Sequence, residues 1–220
     1  MGGKNHAPCR KYQQNSTQLS LFLSLALANL ENANVALERV ILNELDGEKG
    51  NRSLINEYLN MSMQALESAV RICDNLEAQM RDSDYHDLPE LKSLDLVSLG
   101  RALSEKGLVN QKSWEEAASL MVSSTFYQLL EKIRTGICAL IDETVALSHR
   151  FEQIPSTLHY VEIMECNRPE NIKTEFARLY TSWGTFNHFF MASTILSTEI
   201  WYAHMGYGTM LESHKIALIA

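Results

Sequence analysis

Residues 53–80 read SLINEYLNMSMQALESAVRICDNLEAQM. Within them Leu54, Tyr58, Met61, Ala65, Ala69, Ile72 and Leu76 recur at steps of three and four, the period of one helix face. The spacing predicts a helix from about Ser53 to Met80 with a single apolar seam. Upstream, Leu23, Ala26, Leu30, Ala33, Leu37 and Val40 repeat the pattern and give a helix from about Thr17 to Leu45. Asp46-Gly47 stops it, because glycine takes the left-handed cap without steric penalty. The connecting loop, Glu48 to Arg52, is short enough to force an antiparallel hairpin.

The same reading extends downstream. The acidic stretch Asp82 to Leu88 is a break, and Pro89 suits the first turn of a shorter helix ending near Gly107. Ser113 and Glu116 have capping-box spacing, in which each side chain satisfies an orphan backbone N–H. They open a long helix to about Phe151, with a seam of Leu130, Ile133, Ile137, Leu140, Thr144 and Leu147. Pro155 prevents its continuation. A short helix, Thr157 to Cys166, and the turn Asn167-Arg168-Pro169 lead to a last long helix ending near Met205. Two-residue alternation and glycine-rich hairpin turns are absent. The expected fold is all-α, an antiparallel up-and-down bundle of four long helices with one or two short extra helices. Each long helix has about thirty residues and so spans ~45 Å.

Composition sets the outer limits. The chain has 220 residues, 45 % hydrophobic and 21 % charged, ordinary for a globular protein that buries a sizeable core. Ten glycines and four prolines are too few for collagen-like, linker-rich or turn-dense chains. A net charge of −8 argues against nucleic acid as a partner, since that needs a basic face. Residues 1–16 read as a flexible basic arm with Lys4, Arg10 and Lys11, and no acidic residue precedes Glu31. Residues 17–208 form the helical domain and 209–220 a tail.

Targeting follows from the flanks. The apolar run Leu19 to Ala28, closing on Ala26-Leu27-Ala28, has the shape of a signal peptide ending near Ala28. The polar residues Gln13 to Gln18 separate it from the basic residues, and the helical seam runs on past Ala28. The expectation is therefore a cytoplasmic protein, with secretion as the alternative. Asn187, His188 and Glu199 make Trp183 to Tyr202 costly as a membrane span. Cys9, Cys73, Cys138 and Cys166 form no C-x-x-C pair and fit idle thiols of a reducing compartment.

The last helix carries the strongest functional lead. Half of the chain's aromatic residues lie between Phe176 and Tyr207, on more than one face. Thr181, Gly184, His188, Ala192, Ile195 and Glu199 share one stripe. An aromatic wall with a polar anchor is the chemistry of an apolar pocket or a partner-docking groove. Tyr180, Trp183, His188, Glu199, Trp201 and Tyr202 are the expected binding residues. The expected role is a non-catalytic binding or regulatory protein, without a cofactor, that engages a protein partner or an apolar small molecule. Its long seams also permit a homodimer.

Two catalytic alternatives rest on short motifs. Arg81-x-x-x-x-His86 resembles the Arg-x4–6-His motif of the HEPN family, helical bundles that include metal-independent RNases. The resemblance implies that His86 handles protons while Arg81 steadies a phosphate. Asp82, Asp84, Asp87 and Glu90 crowd the pair and would repel RNA. No Glu-x-x-His of the ferritin-like kind occurs. His159, Glu162 and Cys166, at i, i+3 and i+7, share one face and have ligand chemistry for a transition-metal ion. Nucleophile-elbow, Walker, dinucleotide and His-Glu-x-x-His motifs are missing.

Overall fold

The computed structural model describes residues 25, 28, 29, 31–33, 35, 36, 48–81, 96–123, 126–153 and 172–204. All regular structure among the described residues is helical, as expected of an all-α chain. Helical residues within 25–36 are followed by α1 (Glu48–Arg81), α2 (Leu96–Glu105), α3 (Gln111–Ser123), α4 (Phe126–Glu152) and α5 (Ile172–His204). The short helix expected at Thr157 to Cys166, the N-terminal arm and the C-terminal tail lie outside the described residues.

α1 differs from expectation in two ways. Residues 48–52 are helical rather than a loop. Gly50 is tolerated there at a cost of about 1 kcal/mol. The expected seam is buried at Ala65, Ala69 and Leu76, but in the N-terminal half the buried face shifts to neighbouring positions. Ile55, Leu59, Ser62, Leu66, Ala69, Cys73 and Leu76 point inward, whereas Leu54 and Tyr58 are half-buried and Met61 is 43 % exposed. Ser62, a polar residue with no accessible surface, disguises this stripe in the sequence.

The seam expected of α4 is fully realised. Leu130, Ile133, Ile137, Leu140, Thr144 and Leu147 are all buried. The Thr144 hydroxyl donates to the Leu140 carbonyl at 2.7 Å, so a polar atom enters the core already satisfied. The helix expected from Ser113 to Phe151 is described as α3 and α4, with residues 124 and 125 outside the description.

The chain divides into two compact units. One holds the residues up to Asp74 together with Arg134–Trp183. Its core includes Ile55, Leu59, Leu66, Ile137, Leu140, Phe176 and Trp183. There the Arg134 guanidinium donates to the Asp74 carboxylate at 2.8 Å, joining α1 to α4. The other unit holds Asn75–Ile133 and the residues from Gly184 onward. Its core includes Leu99, Trp114, Leu130, Phe186, Phe190 and Leu196.

The best-specified local structure of the second unit is the α2–α3 hairpin. Gly107 adopts φ 69°. Its N–H bonds the Ser104 carbonyl at 2.9 Å, and the Leu108 N–H bonds the Leu103 carbonyl at 3.1 Å. These are the two bonds of a Schellman cap, which needs a left-handed residue and so favours glycine. α3 is then capped by Asn110 rather than by the expected Ser113. The Asn110 side-chain oxygen accepts the Ser113 N–H at 2.7 Å, an N-cap contact. Glu116 pairs instead with Lys132 of α4 at 3.1 Å.

Trp114 locks the two helices together. Its indole N–H donates to the Leu96 carbonyl at 2.8 Å, and the ring lies against Gly100 so closely that a Cβ there would overlap it. Gly100→Ala is therefore expected to destabilise the chain by about 1–3 kcal/mol through overpacking. Urea unfolding monitored by circular dichroism measures this; an unchanged midpoint would mean that the lock yields freely.

Candidate functional site

Of the expected binding residues, Trp183 is buried with the other described rings of α5, and Tyr180 and His188 are half-buried. Phe176, Trp183, Phe186, Phe189 and Phe190 are all buried. Phe186 and Phe190 stack on each other, with ring centroids 6.0 Å apart, a favourable offset geometry. Trp183 is 3 % exposed, so its ring is core and truncating it acts on stability before binding. Tyr180 is half-buried. Glu199, Trp201 and Tyr202 belong to α5, but their side chains lie outside the description. Arg81 closes α1 with its side chain likewise undescribed, and His86, His159, Glu162 and Cys166 lie outside the described residues. No cluster of three or more metal-ligating side chains occurs among the described residues.

α5 grows more enclosed along its length. Up to Asn187 an exposed residue recurs in every turn, including Lys173, Ala177, Thr181, Gly184 and Asn187. From His188 through Ser197 none is exposed. A helix apolar on all sides is covered on all sides. The hydroxyls inside this stretch turn back on their own backbone. Ser193 donates to the Phe189 carbonyl at 2.8 Å and Ser197 to the Ser193 carbonyl at 2.7 Å. Among the described residues no helix is long and apolar enough to cross a membrane.

His188 stands where this enclosure begins. Its Nδ1 is shielded from solvent and has no hydrogen-bond partner among the described residues. One turn before it, Gly184 is exposed, and a Cβ added there would meet no described residue within 4 Å. One turn after it, Ala192 is fully buried. The stripe Gly184-His188-Ala192 thus passes from open surface to core, with an unsatisfied imidazole nitrogen at the transition. The aromatic-rich helix was legible as unusual from sequence. That Gly184 borders open space was not, because spacing does not reveal what packs beside a glycine.

The first unit contains a second polar feature that sequence reading missed. A cleft of about 170 Å³ is lined by Glu143, Ala146, Leu147, Arg150, Glu175, Arg178 and Leu179. Arg150 and Glu175 form an ion pair across it. The Ser182 hydroxyl donates to the Glu143 carboxylate at 3.0 Å. The two carboxylates are thus engaged by side chains of the opposite helix, and the cleft acts as a clasp between α4 and α5. Heptad spacing on both helices, Glu143 to Arg150 and Glu175 to Ser182, was the available signal.

The thiols behave differently from one another. Burial pushes the Cys73 thiol up to about 12 from 9.0. The Asp74 carboxylate adds to the rise, Arg134 opposes it and Cys138 adds slightly. Cys73 is fully buried, whereas Cys138 is half-buried. The comparisons give no further guide: no family model, curated protein or solved structure matches the chain.

Two predictions follow from these groups. Glu175→Gln removes a counter-charge from the partly buried Arg150 guanidinium and should lower stability by about 1–3 kcal/mol, less than for a fully buried pair because Arg150 is a third exposed. A double-mutant cycle with Arg150→Met tests it, and strict additivity would remove the clasp. For these two thiols, the thiolate is the reactive form, so iodoacetamide at pH 8 should label Cys138 before Cys73, and Cys73 only through unfolding. By linkage, Cys73 withdraws stability as pH rises from 9.0 toward about 12, because the unfolded thiol loses its proton first. Equal labelling of both thiols in the native chain would overturn this assignment.

Proposed function

We propose that the chain is a non-catalytic binding protein of a regulatory kind, built as an antiparallel bundle of long helices that offers α5 to a protein partner. Residue register supports the antiparallel arrangement. Going seven residues forward on α4, from Glu143 to Arg150, the contacted residue moves seven back on α5, from Ser182 to Glu175. Long helices paired in this way make a rigid platform.

The observation that carries the docking reading is the neighbourhood of Gly184 and His188. Gly184 lies inside a helix, at an exposed position without a left-handed φ. Glycine there costs about 1 kcal/mol relative to alanine, and no neighbour among the described residues excludes a side chain. What a missing side chain supplies is close approach by another backbone. His188, one turn on, offers a nitrogen whose burial without a partner costs about 1–3 kcal/mol, which a polar group of the partner offsets. α5 carries no Asp, Glu, Lys or Arg between Arg178 and Glu199, and interface cores are depleted in charge. With the described rings enclosed in the core, surface docking is favoured over a ring-walled pocket for a small molecule.

The reading has two consequences. Gly184→Ala should raise unfolding stability by about 0.5–1 kcal/mol, which thermal denaturation measures; a loss would mean that the helix needs its glycine. A photo-crosslinking residue at position 184, in cells expressing the chain, should give a discrete crosslinked product that the same residue at the exposed Glu57 does not give. His188→Ala should remove that product. Identical products from both positions, or none from 184, would overturn the docking site.

A further inference from the structure

We draw no further inference here: the strongest candidate, the exposed apolar pair Val97 and Leu108 on the α2–α3 hairpin, carries nothing because nothing in the structure shows what covers it.

Discussion

The burial of the α5 rings is the constraint on which the rest of the structure depends. Phe176, Trp183, Phe186, Phe189 and Phe190 each remove a large apolar surface from water, and aromatic residues dominate the energetics of cores. Burying Phe176 and Trp183 demands apolar stripes from other helices of their own unit, and α1 and α4 carry such stripes there. It also forbids loose polar atoms on α5. Ser193 and Ser197 therefore bond back to carbonyls one turn earlier. His188 departs from this order: its buried Nδ1 has no hydrogen-bond partner among the described residues.

Much of the fold was legible because charge and hydrophobicity agreed. On α4, Glu131, Lys132, Arg134 and Asp142 mark the solvent side, which leaves one continuous stripe for the core, and that stripe is the buried one. On α1 two neighbouring apolar stripes compete. Leu54, Tyr58 and Met61 look as apolar as Ile55, Leu59 and Ser62 look mixed. The charged residues Glu57, Glu67, Arg71 and Asp74 are exposed, and they face away from the stripe of Ile55, Leu59 and Cys73. Placing the charges first would have chosen the correct face. Hydrophobic periodicity alone finds Ala65, Ala69 and Leu76 but misplaces the N-terminal half of the face.

The candidate site was legible only in part, for a physical reason. An anomalous residue type can be seen in a sequence, as His188 was within an uncharged helix. Empty space cannot. Gly184 gains its meaning from the absence, among the described residues, of any neighbour within reach of a Cβ, and the clasp of Arg150 with Glu175 depends on which faces of α4 and α5 meet. Cap chemistry was similarly underdetermined. Ser113 and Asn110 are both competent capping residues. The Schellman bonds at Gly107 and Leu108 fix where the turn ends and thereby select Asn110.

The lock between Gly100 and Trp114 bears on how the chain acquires its shape. The residues it joins are close in sequence, so bringing them together costs little loop-closure entropy, which grows only with the logarithm of loop length. The Arg134–Asp74 contact, by comparison, spans sixty residues. Short-range contacts of this kind favour rapid folding. The α2–α3 hairpin, with its own caps at both sides of the turn, is thus equipped to assemble early and to serve as a nucleus for the partners that sequence distance makes slower to find.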